Sequence, residues 1–426
     1  MTFLPQQPQI HRTVLKNGIV VLAIENPAAD IISTRIFIRA GSQWEPRNKA
    51  GLAHLLSAVI TKGTEQLSSL EIAERIESMG ANLNAEATTD YFLLSLKTVS
   101  DDWPDILQLA GQILRSPSFP DDEVELEQYL AIQDIRSQKE QPFTIAFDQL
   151  RQAMYRDHPY ALSVLGTEAT VSELSRTDLE LFHQTYFRPD NIVISLAGRV
   201  TPEAAVAQVE HVFGDWQPPE TPLPTQQLPS VTSQPCQVIT LQETQQSVVM
   251  LGYLAASLQD ADYSTLKLLN TYLGNGLSSR LFVELREKRG LAYDVSAFYP
   301  TRQSTSTFIV YMGTAPDNTE TAMLGLRTEV ERLYSEPLSI DELQTAKNKL
   351  LGQYALGKQT NAQLAQVYGW YETMGLGLEF DTQFQQNIIS VTSEMAQAVA
   401  SRHFIEPYVS LVGPAEAINP LATPIV

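Results

Sequence analysis

The chain has 426 residues, 43% apolar and 18% charged, with no low-complexity tract; the length predicts two or more folded domains and the composition excludes wholesale disorder. Lys and Arg number 29 against 49 Asp and Glu, and the net charge of −20 argues against nucleic acid and anionic membrane surfaces as partners. A single cysteine, Cys236, excludes an internal disulfide and a cysteine-built metal site, and fits a reducing compartment, most simply the cytoplasm. The N-terminal MTFLPQQPQIHRTVLKNG lacks the basic and apolar stretches of a secretory signal, and no run approaches the roughly 18 apolar residues of a membrane span.

Taken in chain order, GSQWEP (Gly41 to Pro46) ends a strand, and AGLAHLLSAVITKGT (Ala50 to Thr64) predicts an apolar helix holding one imidazole, His54. NLNAEATTDYFLLSL, from Asn82, alternates small and polar residues before an apolar run, as an edge strand passing into a sheet does. The overlapping segment from Tyr91, YFLLSLKTVSDDWPDILQLAGQIL, reads strand, polar turn, amphipathic helix, and SPSFPDDE (Ser116 to Glu123) opens a further helix. The acidic DDEVELE within it, Asp121 to Glu127, reads as a solvated helix start, attraction for basic peptides being the alternative. YFRPDNIVISLAG then closes a strand at Gly198.

Residues 217–235 contain six prolines among Gln, Thr and Ser and predict an extended linker. Beyond it the pattern repeats. TFIVYMGTAPDNTETAMLGLRTEV from Thr307 matches the Tyr91 segment, SEPLSIDE (Ser335 to Glu342) matches Ser116 to Glu123 at an offset of 219, and HFIEPYVSLVG ends at Gly413 at an offset of 215. Near-constant offsets predict an internal duplication with domains 1–216 and 236–426 on either side of the linker. Each half reads strand, strand, helices, strand, strand, helices, strand, so the fold class is α+β: two homologous domains, each a mainly antiparallel or mixed sheet with helices packed on one side. In the second half, NGLSSRLFVELREKRGLAYDVSAFY predicts a helix from about Ser278 to Lys288, capped at Gly290, and a strand from Leu291. No Walker A sequence, dinucleotide fingerprint or Gly-x-Ser-x-Gly elbow occurs.

The stretch around His54 resembles the pitrilysin, or M16, metallopeptidases, whose segment runs G-S-x-x-E, then G-L-A-H-x-x-E-H, then K-G-T. Gly41, Ser42, Glu45, Gly51, Leu52, Ala53, His54, Lys62, Gly63 and Thr64 all match. The resemblance continues through MGANLNAEATTDY (Met79 to Tyr91), the HPY at His158 and LFVELREKRGLAY (Leu281 to Tyr293). It implies an M16/LuxS-like clamshell half. In the family's inverted zinc motif H-x-x-E-H, two histidines one helical turn apart share one ion and the glutamate serves as general base. Here Ser57 stands at the glutamate position and Ala58 at the second histidine. The family's third ligand maps to Asp134, so His54 and Asp134 would supply two ligands where a catalytic zinc takes about three. No metal or other cofactor is therefore expected in this chain, and His54 reads as a half-buried helical histidine, the alternative being a remodelled metal site.

Active members complete their site with an Arg and a Tyr seven residues later, and Arg286 and Tyr293 have that spacing. The local alternative is a capped helix with an ordinary surface Arg and a core Tyr. The family's substrate-accepting strand carries an Asn-Ala pair that Asn84 and Ala85 match, the alternative being a plain edge strand. A broken zinc motif with a retained Arg/Tyr pair resembles the non-catalytic subunit of an M16B heterodimer, inactive alone. The resemblance implies a catalytic partner with an intact H-x-x-E-H and bound zinc, to which Arg286 and Tyr293 act in trans, and unfolded peptides as substrates. A purely structural or peptide-binding homologue is the alternative; a peptidase active alone would need metal ligands that are missing. The long glycine-rich loop of the mitochondrial processing enzyme's non-catalytic subunit is replaced by LGNGL, Leu273 to Leu277, which argues against recognition of mitochondrial targeting sequences. His158, before proline in a loop, is expected to serve packing.

Overall fold

Among the described residues the first half supplies six β-strands and eight α-helices. The strands are β1 (Ile10–Val14), β2 (Val20–Glu25), β3 (Ile31–Ile38), β4 (Asn82–Ala87), β5 (Phe92–Val99) and β6 (Ile192–Gly198). The helices are α1 (Leu52–Val59), α2 (Ser69–Ser78), α3 (Trp103–Arg115), α4 (Asp121–Lys139), α5 (Pro142–Tyr155), α6 (Glu168–Ser172), α7 (Arg176–Tyr186) and α8 (Pro202–Phe213). This computed structural model describes residues 9–421, so the reading of the N-terminus for a targeting signal falls partly outside the described residues. Residues 217–235 form neither helix nor strand, in keeping with their prolines.

The second half supplies β7 (Gln237–Leu241), β8 (Ser247–Ala255), β9 (Asp294–Phe298), β10 (Ser306–Thr314) and β11 (Tyr408–Gly413). Its helices are α9 (Tyr263–Gly274), α10 (Thr319–Ser335), α11 (Ile340–Leu356), α12 (Asn361–Thr373), α13 (Phe380–Ser390), α14 (Ser393–His403) and α15 (Ala415–Ile418).

The two sheets have one topology. The first runs β1-β2-β6-β3-β5-β4 and the second β7-β11-β8-β10-β9. In each, one parallel pair (β2 with β6, β7 with β11) is followed by antiparallel pairs only. The β1–β2 hairpin is the single addition. The three sequence blocks matched above fall on counterparts: β5 and β10, the starts of α4 and α11, and the strands closing at Gly198 and Gly413. This is the α+β duplication expected.

Strand alternation gives each sheet two apolar faces. In the first, Ile32, Ile36 and Ile38 of β3 join Leu94, Leu96, Ile192 and Ile194 in a core shared with α1, α3, α7 and α8, the main helical layer. Phe37, on the opposite face, meets α12, and the contact is close enough that a Cβ on Gly369 would lie 2.4 Å from the Phe37 ring. The second sheet repeats this. Ala146, Leu150 and Met154 of α5 pack with Val248, Met250, Ile309, Tyr408 and Val412.

The compact units therefore differ from the continuous domains 1–216 and 236–426. One comprises the chain up to Ile135 with Ser163–Gln227 and Ala355–Leu378; the other comprises Arg136–Leu162, Leu228–Tyr354 and the chain from Glu379. Each half gives the other one helix, α5 in one direction and α12 in the other. The physical reason is that an apolar sheet face left open would expose its side chains to water. The central boundary, between Gln227 and Leu228, does fall inside the predicted linker.

Candidate functional site

Helix α1 is shorter than the apolar run predicts, ending at Val59. Its start is fixed by two neighbouring residues. Gly51 has φ of +99°, and a Cβ there would lie 2.7 Å from the Leu165 carbonyl oxygen. Glu45, buried, accepts from the amides of Gly51 (2.9 Å) and Ala53 (2.6 Å), serving as a cap from outside the helix. Burial pushes its carboxyl up to about 8 against the pull of those two amides.

His54 follows on the half-buried side of α1. Burial holds its imidazole below the ordinary histidine range, and the charges of Asp134 and Glu127 oppose that shift. Both carboxylates come from α4, seven residues apart and so on one face. Glu127 is bound by Lys62 at 2.8 Å, while Asp134 is exposed. The Ser57 hydroxyl donates back to the His54 carbonyl at 2.7 Å, and Ala58 has no donor or acceptor in its side chain. Among the described residues no group of three or more His, Cys, Asp or Glu could hold a metal ion. One imidazole and two carboxylates, one of them committed to a lysine, do not fit a catalytic zinc, and nothing stands at the general-base position. Sequence reasoning missed Glu127; its signal is the seven-residue spacing from Asp134.

Strand β4 lies beside α1 and ends the first sheet. Asn84 pairs with Ser95 and Ala85 with Leu94 of β5, and among the described residues no strand occupies the outer edge of β4. Asn84 is exposed and Ala85 packs on the core, so β4 offers one free line of backbone donors and acceptors.

The other unit carries Arg286 and Tyr293. The predicted helix here is a π-turn, Phe282–Glu287, in which the Lys288 amide reaches back five residues to the Val283 carbonyl at 3.0 Å. Single π-turns occur frequently at functional sites. Gly290 has the positive φ (+63°) expected of a helix stop, but the strand starts at Asp294, three residues later than predicted. Tyr293, on the intervening segment, is 72% exposed, which removes the core-tyrosine reading. Its amide donates to the Gly313 carbonyl at 3.3 Å, holding the backbone while the ring projects.

The basic residues of this segment divide into two groups. Arg280 is bound to Glu329 (2.8 Å) and Glu284 (3.3 Å), Lys288 to Glu284 (2.7 Å) and Arg289 to Glu329 (3.4 Å). Arg286 is exposed and, among the described residues, has no carboxylate partner; its guanidinium lies 4.8 Å from the centre of the Phe282 ring. An unneutralised guanidinium and a projecting phenol can donate hydrogen bonds to a carbonyl oxygen that gains negative charge.

A family model described as Insulinase (Peptidase family M16) matches residues 20–168, and one described as Peptidase M16 inactive domain matches residues 173–350. The chain belongs to the M16 peptidase family. Among similar proteins, an uncharacterized zinc protease of Mycobacterium leprae is 27% identical over 413 residues, covering 95% of this chain and 91% of the relative. The uncharacterized zinc protease YmxG of Bacillus subtilis is 25% identical, covering 95% and 98%. The M16 fold extends to a Pseudomonas fluorescens structure described as a peptidase M16 inactive domain, with a TM-score of 0.88, 24% identity and coverage of 95% and 98%. A Helicobacter pylori protease superposes with a TM-score of 0.89 at 21% identity. Against this background the present chain is an M16 member whose zinc motif is incomplete.

The remaining residues singled out in the sequence have structural places. His158 is buried between the Tyr155 and Tyr160 rings, accepts from the Tyr160 amide at 3.1 Å, and is held down to about 4 by burial. Asp121 and Asp122 are exposed in the first turn of α4, as a solvated helix start requires. Among the described residues no helix is long and apolar enough to cross a membrane.

Proposed function

We propose that this chain is the non-catalytic, substrate-binding subunit of a heterodimeric M16B zinc peptidase acting on unfolded peptides. The observation that carries the reading is the contrast between its two sites: the zinc motif lacks its base and second histidine, while Arg286 and Tyr293 stand exposed and, among the described residues, without partners for their side-chain donors. Activation of the attacking water falls to the intact H-x-x-E-H of a partner chain. Arg286 directs its N–H donors to the substrate backbone, and the Tyr293 hydroxyl donates to the carbonyl oxygen as charge develops there. The free edge of β4 accepts an extended peptide by backbone pairing, which tolerates many sequences and excludes folded proteins. With one exposed cysteine and no disulfide to protect, the assembly suits the cytoplasm.

The test is to purify the chain alone and after co-expression with an intact M16 relative from the same genome, then assay zinc and cleavage of a quenched, unstructured peptide. The lone chain is expected to be zinc-free and inert and the mixture active. Arg286→Ala or Tyr293→Phe should lower that activity by about 100-fold, the scale of losing one oxyanion donor, without breaking the complex. Stoichiometric zinc and cleavage in the lone chain overturn the reading. If no mixture cleaves, the alternative of a structural or peptide-binding homologue takes its place, supported by the open edge of β4.

A further inference from the structure

We propose that Phe282 is the positioning residue of Arg286, holding its guanidinium in the orientation that presents N–H donors to a peptide; this rests on the split-site reading above. Four basic side chains lie between residues 280 and 289, and Glu284 and Glu329 form ion pairs with three of them. Glu329 is 2% exposed and pairs with both Arg280 and Arg289. Among the described residues Arg286 has no ion pair with that network, and its guanidinium lies over the half-buried Phe282 ring, four residues earlier on the same π-turn.

The chemistry of the contact matters. A cation on the face of an aromatic ring is held by the ring's quadrupole, and the contact requires no carboxylate to occupy the guanidinium's N–H donors. Its donors lie in the guanidinium plane and stay available at the edge for carbonyl or carboxylate oxygens. A carboxylate partner would hold the side chain equally well but would occupy those same donors. The ring contact therefore orders an exposed arginine without neutralising its charge. A side chain ordered before binding loses less rotamer entropy when the substrate arrives. The segment thus engages its other basic side chains in ion pairs and leaves the donors of Arg286 available.

The experiment compares Phe282→Leu, which removes the ring, with Phe282→Tyr, which retains it. In the full-length chain alone, the Arg286 Nε–Hε proton resonance is expected to be displaced by the ring current in the wild type and in Phe282→Tyr, and to return to the free-arginine position in Phe282→Leu. In the co-expressed complex, Phe282→Leu should raise KM about two- to fivefold, the scale of an exposed cation–π contact, with kcat and melting temperature unchanged and with Phe282→Tyr restoring KM. A displaced resonance that survives in Phe282→Leu, or a KM that does not move, overturns the positioning role. If Arg286→Ala leaves activity of the complex intact while the resonance behaves as expected, the split-site reading fails and the stacking stands as a structural contact.

Discussion

At residue scale, two substitutions separate this chain from a metal-binding relative. Ser57 turns its hydroxyl onto its own helix, and Ala58 leaves empty the position one turn from His54. Because burial keeps His54 neutral and Asp134 lies within electrostatic reach, Ala58→His brings a third donor to the site. That variant is expected to retain stoichiometric zinc through dialysis while the wild type retains none, measured by atomic absorption, and to gain no cleavage because Ser57 cannot act as a base. Both absences were legible in the sequence, since they depend only on identity at a fixed helical spacing. Glu127, its salt bridge to Lys62 and the exposure of Tyr293 were not, because each depends on how separate elements pack.

A second residue-scale consequence concerns pH. His183 donates from Nε2 to the Leu114 carbonyl at 2.9 Å, and burial holds both it and His158 down to about 4, below the unfolded value of 6.5. The native state binds these protons more weakly than the unfolded chain, so the stability each histidine contributes is fully present above pH 6.5 and is lost as pH falls toward 4. Moving from pH 7 to pH 5 should lower the unfolding free energy by about 2 kcal/mol for each histidine, read from urea denaturation, with His183→Gln removing its share of the slope.

At the scale of elements, the exchanged helices are held by glycines. Gly369 brings α12 against Phe37 and the Ser195 side chain, and Gly252 of β8 makes room for Met154 and Leu150 of α5. An added methyl at Gly369 meets an aromatic ring that is itself fully buried, so it cannot be absorbed by a side-chain swing. Gly369→Ala is expected to cost about 1–3 kcal/mol of stability by urea denaturation. Gly352 of α11 has nothing within 4 Å of its missing Cβ and is the control, where alanine should be neutral or stabilising. The strands and most helices were legible from periodicity; the π-turn was not. Phe282 to Glu287 has an ordinary helical composition, and only the five-residue backbone bond reveals the widened turn.

At the scale of the whole molecule, each sheet is finished by a helix from the other half of the chain. Cutting within the linker after Gln227 therefore leaves each fragment with one uncovered sheet face and one unplaced helix. Fragments 1–227 and 228–426 are expected to aggregate or remain partly folded when expressed singly and to assemble when co-expressed, followed by far-UV circular dichroism and gel filtration. Two fragments that fold independently would contradict the role given to α5 and α12.

The α+β class, the internal duplication, the M16 membership and the loss of the zinc motif were all legible along the chain. These follow from composition, from periodicity within single elements and from residue identity at fixed spacing, all of which are local along the chain. Tertiary contacts set which half covers which sheet, where the strand after Gly290 begins and, among the described residues, that Arg286 has no carboxylate partner while Arg280, Lys288 and Arg289 do. Those outcomes depend on contacts between residues distant in sequence: Phe37 with Gly369, Gly252 with Met154, Arg280 and Arg289 with Glu329. An apolar residue is equally apolar beside either sheet, and a glutamate equally charged beside any arginine, until packing selects its neighbour.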